Sequence, residues 1–410
     1  MDISSPKDNA ADNTGKVPVT EYTACAASAL VNGEVTLKIG ETALTVTALF
    51  DVASISFAEI NGLKHTDNTV TVNADSGDYE FTRLGSWCKP FYDSLYEAYN
   101  KAVLRSLFIK GSPILTANGE TGYKENGETV SVKATIHIYE NNVTALPPDL
   151  TARRVPLCFV TGLDKGDYEL TLHLNTGELY SYAKLGYDTY PFAEEIEKQI
   201  RKLREGALAA VKDIDPSLTV AQASQLAKLM PQGAAVPLGR LAKIAPSFVA
   251  SLENKIAATR AAESYTAFKE MCDPLQIYVG FRKNEVTAEV AEEETPAEPY
   301  LLWLIAPSPC GRYAAVEFAE ADSATFVYST NGSFTAFAEQ LNRALEAIDF
   351  KREAIRLSDE KLQRPENADY YMAAKRTAAL RFVRSNFVGR VIHSGMEAWK
   401  NKIQELWSYA

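Results

Sequence analysis

The stretch Leu84-Gly85-Ser86-Trp87-Cys88-Lys89-Pro90-Phe91 returns 101 residues later as Leu185-Gly186-Tyr187-Asp188-Thr189-Tyr190-Pro191-Phe192. Each copy follows a run of strand-like alternation and opens an amphipathic helix, so the repeating object is a supersecondary unit. Beyond Phe91 the apolar positions Leu95, Tyr99 and Ala102 share one helical face. The second copy sets Ile196, Ile200 and Leu203 at the same offsets from Phe192. A stripe that is kept while its polar neighbours change marks a helix side turned to a core. A third copy lacks the Leu-Gly and Pro-Phe markers but places Phe337, Leu341, Leu345 and Ile348 in the same four positions. Pro90 and Pro191 suit the first position of a helix, where a missing N–H removes no intrahelical bond.

Upstream of each helix the period changes from helical to alternating, with turn residues between short runs. The first copy carries Val35 to Ile39, Ala43 to Phe50, Ser54 to Phe57, Thr69 to Asn73 and Tyr79 to Arg83. The second carries Thr129 to Tyr139, Val143 to Leu146, Val155 to Val160, Tyr168 to Leu174 and Leu179 to Ala183. Each unit reads as a meander of antiparallel strands closed by one helix. The third, from Leu275 to Ile348, shows too few strands for a full barrel: it is either a degenerate copy or an edge structure completed by its neighbours.

A unit of this length and order, with a step such as Phe50-Asp51-Val52-Ala53-Ser54-Ile55, resembles the pleckstrin-homology-like superfold, including bacterial PH and GRAM-type domains. The resemblance implies an α+β fold: two PH-like antiparallel β-barrel or sandwich units, each closed by a C-terminal helix, then a degenerate third copy. The expected division is a disordered tail at 1–16, unit 1 at 17–109, unit 2 at 110–206, a helical insert at 207–272, unit 3 at 273–350 and a basic helical C-terminus at 351–410. Superfolds of this kind host lipid binders, peptide binders and inert scaffolds, so fold does not carry function.

The insert contains a capping box, Thr219-Val220-Ala221-Gln222, and a helix expected from Pro246 to Glu270 with Phe248, Leu252 and Ile256 on one side. An acidic, proline-containing loop is expected from Glu292 to Glu298. The C-terminal segment reads as two helices separated near Ser394-Gly395. Met372, Leu380, Val383, Phe387 and Val391 line the first; Met396, Trp399, Ile403 and Leu406 line the second.

Composition narrows the function. The chain has 410 residues, 46% of them hydrophobic, enough for several cores. No apolar run reaches the roughly 18–20 residues that span a bilayer. Five scattered cysteines without a Cys-x-x-Cys pair fit a reducing, cytoplasmic setting better than a disulfide framework. The net charge of −11 opposes nonspecific nucleic-acid binding, which draws on Lys and Arg at phosphates. Charge is uneven, however: residues 351–410 hold 12 Lys and Arg against 7 Asp and Glu. Lys375, Arg376, Arg381, Arg384 and Arg390 lie between the apolar stripes there and are the candidate contacts for an anionic partner or membrane surface. Their dispersal around the helix favours a solvated rim.

Phosphate-cradling glycine loops and the hydrolase elbow are missing from the sequence, and no His or Cys is spaced for a metal. His137 and His173 fall inside alternating strands. Glu397 follows His393 across the Ser394-Gly395 break, and Cys310 has Arg312 beside it without a His in reach. Neither barrel gathers the Lys and Arg cluster that an inositol phosphate requires: residues 17–108 hold 6 basic against 11 acidic residues, and 110–206 hold 11 against 14. The reading is a cytosolic, bacterial, non-catalytic tandem scaffold, with no cofactor or metal, which engages a protein partner or a second copy of itself. A peripheral membrane protein using the basic C-terminus is the alternative, and an enzyme the weakest third.

Overall fold

The computed structural model describes residues 21–125, 127–283, 300–319 and 324–408 of the chain. The tail expected at 1–16 and the acidic loop expected from Glu292 to Glu298 lie outside these residues. The architecture is α+β, with three antiparallel sheets each flanked by helices.

The first sheet comprises β1 (Glu21–Ala27), β2 (Gly33–Ile39), β3 (Ala43–Thr47), β4 (Val52–Ser56), β5 (Ile60–Thr66), β6 (Thr69–Ala74) and β7 (Gly77–Thr82), followed by α1 (Cys88–Ser106). Its order is β4-β3-β2-β1-β7-β6-β5, so the first strand pairs with the last and brings the chain ends of the unit together. Alternate residues of the strands are buried, as in β1, except in β5, where a bulge sets the buried Ile60 and Leu63 three apart, and α1 closes the core with Phe91, Leu95, Tyr99 and Ala102. The second sheet comprises β8 (Leu115–Glu125), β9 (Glu128–Ile138), β10 (Asn142–Leu146), β11 (Arg153–Pro156), β12 (Val160–Lys165), β13 (Glu169–Leu174) and β14 (Leu179–Ala183), followed by α2 (Thr189–Ile214). Its order, β11-β10-β9-β8-β14-β13-β12, is the first order with seven added to every strand.

The Leu-Gly marker has a backbone cause. Gly85 and Gly186 sit at φ 57° and 61°, in the left-handed region where a side chain is strained. The buried Leu84 and Leu185 anchor the same turn. A 3₁₀ turn follows, so α1 and α2 begin at Cys88 and Thr189, and each proline is the third helical residue and not the first. That position is equally free of penalty, because none of the first four N–H groups has an intrahelical acceptor.

After α2 come α3 (Val220–Leu229), capped by the Thr219 and Gln222 box, then β15 (Val236–Pro237), α4 (Leu238–Ile244), α5 (Pro246–Ala257) and α6 (Ala262–Met271). The single helix expected from Pro246 to Glu270 is thus two, broken between Ala257 and Ala262, although Phe248, Leu252 and Ile256 are buried as expected. The third sheet runs β15-β16-β17-β18-β19-β20, with β16 (Tyr278–Lys283), β17 (Tyr300–Pro307), β18 (Tyr313–Phe318), β19 (Ala324–Ser329) and, after five helices, β20 (Phe387–Ile392). Those helices are α7 (Phe334–Ala347), α8 (Glu353–Arg356), α9 (Asp359–Leu362), α10 (Ala368–Arg376) and α11 (Ala378–Ser385); α12 (Met396–Ser408) follows β20.

Helices cover both faces of the third sheet. One side packs on α3–α6, α12 and the end of α2, the other on α7, α10 and α11. Every residue of β17 is therefore buried, and no inside–outside alternation is visible. Gly280 lies opposite Trp303, and a Cβ there would come within 2.1 Å of the indole, so only glycine lets the ring lie across the neighbouring strand. The missing strands of this sheet are supplied from outside 273–350: β15 from the helical insert, β20 from the C-terminus. Phe387 and Val391, read as part of a helix, instead belong to a strand that pairs with the otherwise open β19. The C-terminal region is thus not wholly helical.

Candidate functional site

The β3–β4 hairpin closes on a two-residue loop, Leu49-Phe50, with the Ala48 N–H donating to the Asp51 carbonyl at 2.8 Å. Leu49 is 85% exposed, Phe50 90% and Val52 68%, so three large apolar side chains share one hairpin tip. At the other end of β4 the Phe57 N–H donates to the Thr42 carbonyl at 2.9 Å. These two bonds fix the phase of the ladder: Ala53 and Ile55 turn their peptide groups to β3, whereas Val52, Ser54 and Ser56 present theirs to the open side. The Ser56 carbonyl is taken by the Glu59 N–H at 3.0 Å. β4 is the last strand of its sheet, and its sequence, Val-Ala-Ser-Ile-Ser, has no charge, proline or bulge to guard the edge.

The other outer strands are guarded. β5 donates from the Leu63 N–H to the Pro148 carbonyl at 2.7 Å, so the second unit covers it. β11 lies against α7, where Arg154 grips both carboxylate oxygens of Glu346 at 2.7 and 2.6 Å, both side chains buried. β12 has a bulge at Val160/Gly162 and carries Asp164 and Lys165. β20 has a bulge opposite Val327/Tyr328, carries Arg390, and has Leu406 of α12 against Gly389. β15 is two residues long.

Beside the C-terminal half of β4 lies a groove of about 750 Å³, the far wall of which is the segment Gln363 to Tyr371 leading into α10. Asp75, which lines it, belongs to a charge cluster that ties the two walls together. Lys375 Nζ donates to Asp75 Oδ2 at 2.6 Å and to Asn61 Oδ1 and the Ala58 carbonyl at 3.2 Å; Tyr371 also donates to Asp75 at 2.9 Å. Burial pushes Asp75 up, but the bonds from Lys375, Asn61 and Tyr371 outweigh it and hold the carboxyl below its usual range. Glu59 is raised, first by burial and then by the charge of Asp75. Arg105 of α1 bonds both Asp369 oxygens at 3.0 and 2.9 Å across the groove end.

The five cations of the C-terminus do not form one surface. Lys375 is spent on Asp75, and Arg376, 1% exposed, donates to the Tyr99 hydroxyl and the Met372 carbonyl beneath α1. Arg384 bonds the Ala354 carbonyl at 2.7 Å and Asp359 at 2.6 Å. Arg381 donates to the Lys375 carbonyl, and Arg390, on β20, lies over Phe326. Helical spacing set these cations between apolar stripes, but Arg376 is buried and Arg390 lies on a strand, and the sequence could not show which way each points.

Reactive side chains are dispersed. His393 Nε2 lies 3.0 Å from Glu317 and 3.3 Å from Thr325, Trp399 donates to Thr325 at 2.8 Å, and Thr325 donates to Glu317. This internal chain of bonds ties β20 and α12 to β18 and β19. His173 pairs with Asp164 at 2.6 Å on the outer face of a hairpin. Cys310 is exposed, with its thiol lowered to about 7 by the Ser308 hydroxyl and then Arg312; Cys158 is pushed up by burial. Among the described residues no group of three or more His, Cys, Asp or Glu side chains is placed to hold a metal ion, and no helix is long and apolar enough to cross a membrane. Leu49 and Phe50 read in sequence as the end of a strand, and the Asp51 that follows them is the turn signal that points to the tip.

No family model matches the sequence, and no curated protein matches it. Among solved structures, a chain of "Structure of the Spt16D Pob3N heterodimer" is similar to this one over 39% of this chain and 86% of the other, at 10% identity and a TM-score of 0.17. So loose a superposition supports no inference about partner or activity.

Proposed function

We propose that this chain is a cytosolic, non-catalytic interaction protein that binds protein partners by strand addition to β4, within a scaffold of tandem PH-like units divided as the sequence suggests. One observation carries the reading: β4 is an uncharged, unbulged outer strand whose Val52 and Ser54 peptide groups face outward, beside a groove and an apolar tip, whereas the other outer strands are covered, bulged, charged or very short. Strand addition draws affinity from main-chain hydrogen bonds and specificity from neighbouring pockets. The equal order of the first two sheets supports the tandem arrangement. The membrane alternative has less support, because Lys375, Arg376 and Arg384 are engaged internally.

The test is Ser54→Pro, which removes the outward N–H and obstructs an added strand at a position that edge strands tolerate. Complexes are isolated from the native cell with the wild-type and variant full chains, and contacts are mapped by cross-linking. A stoichiometric partner that cross-links to β4 and is lost from the variant supports the reading. Unchanged partners on the variant refute it. Salt-sensitive flotation of the full chain with anionic vesicles, abolished by Arg381→Ala and Arg390→Ala, would favour the membrane alternative.

A further inference from the structure

We infer that the occupant of the β4 edge is a second copy of this chain, in a two-fold dimer that runs the first sheet of one molecule into that of the other. This deepens the strand-addition reading and rests on it. The peptide groups that point outward are those of Val52, Ser54 and Ser56; the Ser56 carbonyl already accepts from the Glu59 N–H at 3.0 Å and would receive the second copy's Val52 N–H as a second donor on its other lone pair. An antiparallel pairing of this strand with itself that uses all three positions has one register. Ser54 faces Ser54 of the second copy on the two-fold axis, and Val52 faces the second copy's Ser56.

That register decides what happens at the two ends of the strand. The apolar tip, Leu49 and Phe50, lies before the N-terminal end of β4, and the groove opens beside its C-terminal end. Two-fold pairing therefore carries each tip past the other molecule's Ser56 and toward its groove, where Pro365, Ala368 and Tyr371 supply apolar surface among charged neighbours such as Arg364 and Glu366. A closed symmetric interface must be complementary to itself, and here one strand has the projection at one end and the receptacle at the other. A strand that paired along the edge alone would leave Leu49 and Phe50 in water.

The experiment is sedimentation velocity on the full chain from low to high micromolar concentration, with Phe50→Asp, Ser54→Cys and Val52→Cys. Phe50 is exposed, so Phe50→Asp keeps the fold, checked by its thermal melt. The wild type is expected to dimerise reversibly, and Phe50→Asp to weaken the dimer at least tenfold. Ser54→Cys should form a disulfide dimer on mild oxidation beyond that of the wild type, because an axial hydrogen-bonded pair sets the Cα atoms about 5.5 Å apart, within disulfide reach. Val52→Cys faces a serine and should not. A chain that stays monomeric without a Ser54→Cys cross-link overturns the second copy as occupant; the Ser54→Pro comparison then judges strand addition separately. A dimer indifferent to Phe50→Asp, or cross-linked equally through Val52→Cys, overturns the register.

Discussion

β4 and β11 hold the same place in two sheets of the same strand order, yet one ends in water and the other beneath a helix. β4 alternates exposed and buried residues; β11 is buried or nearly so throughout, with α7 laid against it and Arg154 locked to Glu346. The difference teaches that this outer strand is a usable surface in the unit and that the chain has already used one of its two. A covered edge needs ionic and apolar contacts from a distant segment. The open one has kept the features that receive such contacts: free peptide groups, an adjoining groove and apolar side chains without a neighbour.

The covered edge should break hardest. Arg154→Ala strands Glu346 in the interior and is expected to lower stability by about 3–5 kcal/mol in denaturant unfolding, whereas Arg154→Met combined with Glu346→Leu should recover most of the loss. The open edge depends on its far wall. Lys375→Met removes the cation that holds α10 to Asp75, and a loss of about 1.5–3 kcal/mol is expected, with faster amide exchange across residues 363–371. Glu59 sharpens the comparison through pH. Its folded pKa lies above 4.5, so its ionisation opposes folding as pH rises; Glu59→Gln should raise the melting temperature at pH 7 and give no gain below pH 4.5. Asp75 has the opposite sign: its depressed pKa supports the fold above pH 3.8 and the support fades as pH falls through the lowered value. Asp75→Asn should therefore be weaker than wild type at neutral pH and converge with it in acid. Smallest of all, Ser54→Pro should move stability by about 0.5 kcal/mol or less while abolishing strand addition.

What the sequence revealed was the part with local causes. The stripes Phe91, Leu95, Tyr99 and Phe337, Leu341, Leu345, Ile348 are fully buried, because a core-facing helix must repeat its apolar side every turn. Phe387 to Ile392 was misread because its apolar spacing continued that of Leu380 and Val383; only the unpaired flank of β19, some sixty residues earlier, makes it a strand. The candidate site was invisible for the same reason. β4 was legible as a strand, but its openness is a property of what the rest of the chain leaves uncovered, and the groove needs a wall from residues 363–371.

Asp75 and Lys375 stand 300 residues apart in the chain. Sheets that close locally fold as they emerge, N-terminal first, during synthesis at about 5–20 residues per second. For roughly 15–60 s the first unit therefore presents an uncharged edge strand and an apolar tip with no wall beside them. On a crowded polysome, where neighbouring nascent chains carry the same exposed strand, the sequence between the two residues acts as a timer. Its length sets how long identical edges can meet before the C-terminus arrives to frame one end of the meeting place.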